Sequence, residues 1–158
     1  MTISNGDKMP EGSFKVLDND GMKDISTSEL FAGKNVVLFS VPGAFTPTCS
    51  NDHLPSYLNN YDKITAKGFD TIACLAVNDA FVMQAWGKDR GIDDKITMLA
   101  DGSGDYTKAL GLELDASGFG LGIRGKRFSI IVKDGIAEQV NVDEGNYDLT
   151  SAEKTCAI

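Results

Sequence analysis

Short continuous apolar runs alternate along the chain with stretches of helical spacing, and the alternation outlines the elements. Residues 36–41 are a mostly apolar run of strand formers ended by Pro42-Gly43, the pattern of a central strand buried on both faces. Residues 71–77 and 96–99 repeat that pattern. Residues 14–17 are a shorter candidate strand, and Asp18-Asn-Asp-Gly21 reads as a hairpin turn into residues 22–25. A calcium loop is the sharper alternative for Asp18 and Asp20, but Met22 and Lys23 stand where its third ligand and its glycine belong. The polar dozen residues before Phe14 are expected to fray.

Helix signals fill the gaps. Ser26-Thr-Ser-Glu29 is a capping box ahead of Leu30 and Phe31, with Gly33 as the stop. Thr46-Pro47 reads as N-cap and first helical residue, the Thr hydroxyl accepting an otherwise unpaired N–H. Pro55 should kink or restart that helix before residues 57–66, and Gly68 should end it. Asp79 caps a helix in which Phe81, Val82, Ala85 and Trp86 repeat at helical spacing. Residues 105–111 form a short helix, and residues 127–132 and 136–142 flank an Asp134-Gly135 turn. Thr150-Ser-Ala-Glu153 reads as a last capping box, opening a terminal helix that holds Cys156. The whole predicts an α/β mixed sheet flanked by helices on both faces, in a single domain over residues 1–158 without repeats or linkers.

Composition narrows the partners. A net charge of −8 and an isoelectric point near 4.5 argue against a nucleic-acid or anionic-membrane surface, which would want clustered Lys and Arg. No run is long and apolar enough to span a bilayer, and the first residues lack the apolar core of a signal peptide, so a cytoplasmic location is expected, although a removed targeting segment would be invisible. Three cysteines at irregular spacing do not make a disulfide framework. They suit a reducing compartment with one thiol kept for chemistry.

That thiol is Cys49. Counting from Thr46, it is the third helical residue, so its sulfur lies among unpaired N–H groups at the positive end of the helix dipole, a setting that favours thiolate. An ordinary cysteine is about 3% thiolate at pH 7; reaching about 90% takes roughly 3.4 kcal/mol, against about 2 at best from a helix terminus. A nearby cation is therefore needed. His53, the one histidine, falls on the same helix face as Cys49. A metal pair or a Cys–His dyad is the sharp reading of it, and packing near the pocket is the plain one; two ligands are too few for zinc, and no metal or other cofactor is expected.

The stretch Pro42-Gly-Ala-Phe-Thr46-Pro-Thr-Cys49 resembles the active-site signature of the peroxiredoxins. Cys49-Ser-Asn-Asp-His-Leu-Pro55, Val77-Asn-Asp-Ala-Phe-Val-Met83, Met98-Leu-Ala-Asp-Gly102 and Arg127-Phe-Ser-Ile-Ile-Val132 extend the resemblance, in order, to the fifth peroxiredoxin subfamily, which includes the plant type II enzymes. The resemblance implies a thioredoxin-like fold and a thiol peroxidase that reduces hydrogen peroxide and alkyl hydroperoxides. It implies that Cys49 becomes a sulfenic acid, that Thr46 hydrogen-bonds the peroxide, that Pro42 shields the sulfur, and that Arg127 is the missing cation. Arg124 and Lys126 are its neighbouring alternatives. It also implies glutaredoxin with glutathione, or thioredoxin, as the reductant, and a homodimer.

Gly43, Phe45 and Phe119 are the candidates for lining a substrate pocket. Gly118-Phe-Gly-Leu-Gly122 reads as a flexible loop at its rim, not as a nucleotide loop, since it neither follows a strand nor opens a helix. Cys74 is expected to be buried in its strand. Cys156 lies five residues beyond the place where animal members of the subfamily carry a resolving cysteine, which puts a two-cysteine cycle in doubt; both remain possible resolving residues. The rival class is a noncatalytic thioredoxin-like redox sensor or chaperone. A plain disulfide oxidoreductase is disfavoured, because position 46 is Thr and there is no C-x-x-C pair.

Overall fold

Thr46 to Cys49 are held where a parallel strand ends and a helix begins, in a computed structural model that describes residues 2–158. The strands are β1 (Ser13–Asp18), β2 (Gly21–Ser26), β3 (Asn35–Ser40), β4 (Thr71–Ala76), β5 (Thr97–Ala100), β6 (Glu113–Asp115), β7 (Ile123–Gly125), β8 (Arg127–Lys133) and β9 (Ile136–Asp143). The helices are α1 (Thr27–Phe31), α2 (Leu54–Asn59), α3 (Tyr61–Ala66), α4 (Ala80–Arg90), α5 (Asp105–Leu110) and α6 (Ala152–Cys156). Seven strands form one sheet in the order β2-β1-β5-β4-β3-β8-β9, with β5, β4 and β3 parallel and the outer pairs antiparallel. This is the mixed α/β sheet of a thioredoxin-like fold.

Alternation along the strands builds a core on each face of the sheet. Val37, Phe39, Cys74 and Ala76 face one core with Cys49, Tyr57, Trp86 and Cys156, while Val36, Leu38, Ala73 and Leu75 face the other with Phe14, Phe31, Phe128 and Leu110. Phe128, Ile130 and Val132 of β8 enter the second core, so the intervening Arg127 and Ser129 face the first. The register Ser40↔Phe128 then sets Arg127 beside the point where β3 gives way to Pro42-Gly43. That pairing delivers a cation to the mouth of the parallel strands.

Most predicted elements are found, with four differences. The first residues do not fray: Ile3 donates to the Leu110 carbonyl, Met9 donates to that of Gly135, and both side chains are buried. The helix after Cys49 restarts at Pro55 as expected, but by widening: Cys49–His53 form a π-turn in which Leu54 N–H bonds the Cys49 carbonyl, α2 follows with Pro55 in its first turn, and a break that was not expected falls at Asn60. α4 is capped by Asp79 as expected but buries Ala80, Met83, Trp86 and Gly87, leaving Phe81 65% exposed. The terminal helix starts one residue late: Ser151 accepts from Lys154 N–H, while the Thr150 hydroxyl donates to Asp143. The small β6–β7 hairpin around the glycine-rich loop was not legible in the sequence. The Asp134-Gly135 turn has positive φ at both residues, +46° and +80°, as a two-residue hairpin requires.

Candidate active site

Thr46 precedes the helix as predicted, and Ser50 N–H reaches its carbonyl at 2.9 Å. Its hydroxyl, however, makes no cap; it donates to the Gly43 carbonyl at 2.7 Å, folding the Pro42–Thr46 loop onto itself. Gly43 packs closely there: a Cβ would lie 3.1 Å from both Thr46 Cγ2 and Arg124 Nη1, a tight contact that those side chains would have to ease. The loop is held from outside by Asn78, whose Oδ1 accepts from Ala44 N–H at 3.0 Å, and by Arg124, which donates to the Leu121 carbonyl at 2.9 Å and to that of Pro42 at 3.4 Å. Phe45 sits at φ +65° and is half exposed.

The helix start is pinned on its other side by α4. Trp86 Nε1 donates to Ser50 Oγ at 2.9 Å, and Arg90 donates to the Ser50 carbonyl at 3.2 Å. Cys49 is thus a fully buried residue at a fixed helix end. Arg127, 8% exposed, donates from Nη2 to its sulfur at 3.2 Å and from Nη1 to His53 Nδ1 at 2.8 Å. The Tyr147 ring lies 5.9 Å from the guanidinium carbon. Among the described residues no carboxylate lies within salt-bridge distance of Arg127. A buried guanidinium requires hydrogen-bonding partners, and the Cys49 sulfur and the His53 ring are the ones within reach.

His53 is wholly buried, between Arg127 and the Thr150 carbonyl, which its Nε2 meets at 3.0 Å. Burial, reinforced by the Arg127 charge, pushes its pKa down to about 3. Tyr57 donates to the same carbonyl at 2.7 Å and stacks on Phe39 at 4.0 Å. Thr150 is in turn fixed by Asp143, whose carboxylate accepts from the N–H groups of Asp148, Leu149 and Thr150 and from the Thr150 hydroxyl. Burial would raise the Asp143 pKa, but those four bonds outweigh it and hold the group below its ordinary value.

The residues expected to act together therefore divide. Cys49 and Arg127 meet at 3.2 Å, and Pro42 shares a cavity wall with Arg127, while the Thr46 hydroxyl stays on its own loop, bonded to Gly43. Arg124 supports the loop instead of the sulfur, and Lys126 pairs with Glu144 at 2.9 Å on the rim. A cavity of about 380 Å³ is walled by Pro42, Thr48, Leu114, Phe119, Arg127 and Tyr147 among others. Phe119 is part of that wall, whereas Gly43 and Phe45 lie outside it. A larger groove, about 900 Å³, runs between β1, α4 and β5 and shares none of these residues. Cys74 and Cys156 are buried free thiols, and burial raises both pKa values, that of Cys156 to about 11. Sequence reasoning missed Asn78, Asp143 and Tyr147 and undervalued His53; for His53 the shared helix face with Cys49 was the available signal.

The Redoxin family profile matches residues 4–155. The chain is 46% identical to the chloroplastic peroxiredoxin-2E of Arabidopsis thaliana over 157 residues, 96% of this chain and 67% of that one. It is likewise 46% identical to the peroxiredoxin-2C of Oryza sativa subsp. japonica, over 96% of this chain and 95% of the relative. Its fold superposes on reduced Prx3 of Vibrio vulnificus in complex with hydrogen peroxide with a TM-score of 0.95, at 46% identity and over 99% and 98% of the two chains.

Proposed function

The chain belongs to the peroxiredoxins, thiol-dependent peroxidases, and from that premise we propose that Cys49 is the peroxidatic cysteine of an enzyme acting on hydrogen peroxide and organic hydroperoxides. The observation that carries the assignment is the 3.2 Å bond from the buried Arg127 to the Cys49 sulfur. The thiolate attacks the peroxide oxygen that carries hydrogen. An S–O bond forms, the O–O bond breaks, and alkoxide or hydroxide leaves and takes up a proton. Arg127 stabilises charge on the sulfur and then on the departing oxygen. The Thr46 hydroxyl, already donating to Gly43, keeps its lone pairs to accept from the peroxide O–H. Pro42 covers the site, and the apolar walls Leu114, Phe119 and Tyr147 suit an alkyl group.

The resulting sulfenic acid condenses with an external thiol, releasing water and leaving a mixed disulfide that a second thiol reduces. Glutathione with glutaredoxin, or thioredoxin, is the reductant in this reading. A single domain spanning residues 1–158, a homodimer and a cytoplasmic location complete it. Among the described residues no helix is long and apolar enough to cross a membrane. NADPH-coupled turnover tests the proposal. Cys49→Ser should lose peroxide reduction while keeping its circular dichroism and melting transition, because the hydroxyl forms no sulfenic acid; appreciable turnover by that variant would reject the assignment. Running the same assay with glutaredoxin plus glutathione and with thioredoxin separates the reductants.

A further inference from the structure

We propose that the ion pair between Lys126 and Glu144, on the wall of the active-site cavity, sets a preference for uncharged over anionic hydroperoxides, Glu144 occupying the cation that would otherwise bind a substrate's carboxylate. This rests on the reading of Cys49 as nucleophile and adds two specificity residues that meet the far end of the substrate and none of the reacting atoms.

Two segments far apart in sequence meet at this wall. Lys126 lies between β7 and β8, directly before Arg127, and Glu144 directly follows β9. The Lys126 backbone is fixed: its N–H donates to the Leu112 carbonyl at 2.8 Å, and its carbonyl accepts from the Ser40 hydroxyl at 3.1 Å. Its side chain crosses to Glu144, Nζ to Oε1 at 2.9 Å. Both residues line the cavity of about 380 Å³ together with Leu114, Phe119, Arg127 and Tyr147. A substrate whose hydroperoxide group reaches Arg127 has the rest of its body among these residues.

The four charged residues on the wall, Lys126, Arg127, Asp143 and Glu144, differ in how firmly they are held. Arg127 is buried and bonded to the Cys49 sulfur and the His53 ring. Asp143 is buried and accepts from four donors on residues 148–150. Lys126 and Glu144 are bonded to each other, with side chains 30% and 69% exposed, so water competes for the pair and its charges part at little cost. A carboxylate on the substrate can take the place of the Glu144 carboxylate with the same charge-assisted bond. The displaced Glu144 then stays beside it, two like charges facing one cation, whereas an uncharged alkyl hydroperoxide meets no such rival. Discrimination arises from that repulsion as much as from any attraction.

The probes are cumene hydroperoxide bearing a para-carboxylate and the methyl ester of the same compound, which differ in charge at the end remote from the peroxide. Second-order rate constants for oxidation of Cys49 in the full-length protein give an acid-to-ester ratio, from which any change common to both reactions cancels. Glu144→Gln should raise that ratio by about 3- to 10-fold, the scale of one unit charge several ångströms away near a protein surface, and Lys126→Met should lower it by a similar factor. The double variant, its wall again balanced, should return the ratio close to the starting value. Raising the ionic strength from about 0.05 to about 0.5 M should shrink both shifts. Lys133 and Glu138 form another exposed pair at the opposite end of β8, roughly 20 Å away at strand spacing and beyond the screening length. Glu138→Gln should therefore move the ratio by less than about twofold. An unmoved ratio in a folded Glu144→Gln variant overturns the proposal, and so does an equal shift in Glu138→Gln, which would assign the effect to net charge. Turnover of hydrogen peroxide, which has no remote group, by Cys49→Ser would instead reject the nucleophile, so the two failures are distinguishable.

Discussion

The Arg127 guanidinium directs one N–H to the Cys49 sulfur and another to a buried, neutral imidazole, and that arrangement links stability to pH. In the folded chain the His53 pKa is pushed down to about 3, first by burial and then by Arg127, while the unfolded chain protonates near 6.5. Between those values the unfolded state binds the extra proton, so stability is fully present above about 6.5 and is lost as pH falls. At about pH 5 the loss should be about 2 kcal/mol, before most carboxylates titrate. Urea unfolding from neutral pH to pH 5 checks this, and the slope should disappear in His53→Asn; an unchanged slope would assign it to other groups. Cys49 was legible from its neighbours in sequence because a helix start is a local feature. The pairing of Arg127 with His53 was not, since it depends on the antiparallel register of β8 on β3 and on the carbonyl of Thr150, 97 residues away.

At the scale of elements, two hydroxyls near helix starts were misassigned for the same physical reason. Thr46 and Thr150 both carry cap-like sequence contexts, but each hydroxyl is turned away from the helix N–H groups to donate elsewhere: to the Gly43 carbonyl for one and to the Asp143 carboxylate for the other. Local capping rules count only partners within the turn. The π-turn at Cys49–His53 has a similar origin. Pro55 offers no N–H to the preceding turn, and the helix absorbs this by widening ahead of it instead of breaking. The difference between the two candidate caps of α6 is measurable. Ser151→Ala should cost about 1 kcal/mol, the usual price of a lost N-cap. Thr150→Val should cost more, about 1–3 kcal/mol, because it removes a donor from a nearly buried carboxylate. Paired urea titrations would test the order, and a Ser151 effect larger than that of Thr150 would contradict the structure's assignment of the cap.

Across the whole molecule, the sheet divides the interior into two cores, and all three cysteines lie in the one that underlies the active site. Binary patterning predicted the sheet and its two covered faces, because strands 36–41 and 71–77 are apolar on both sides; it could not say which helix covers which face. Shared burial in one core has a chemical consequence. A resolving thiol must attack as thiolate, and a thiol with pKa near 11 is only about 0.01% thiolate at pH 7. Cys74, deeper in β4, is disfavoured further, by burial and by its proximity to Cys49. Bridging Cys49 to either would also require Cα atoms within about 7 Å in a bondable orientation, and α6, which carries Cys156, is held in place by its Ser151 cap and by the Ser129–Thr155 hydroxyl pair at 2.7 Å. Cys74→Ser and Cys156→Ser should therefore each retain most of their glutaredoxin-supported turnover. Peroxide-treated protein should yield sulfenic-acid adducts at Cys49 and little Cys49–Cys156 peptide on nonreducing digestion. Recovery of that linked peptide in high yield, together with loss of turnover in Cys156→Ser, would establish a two-cysteine cycle in which α6 unfolds on every turnover.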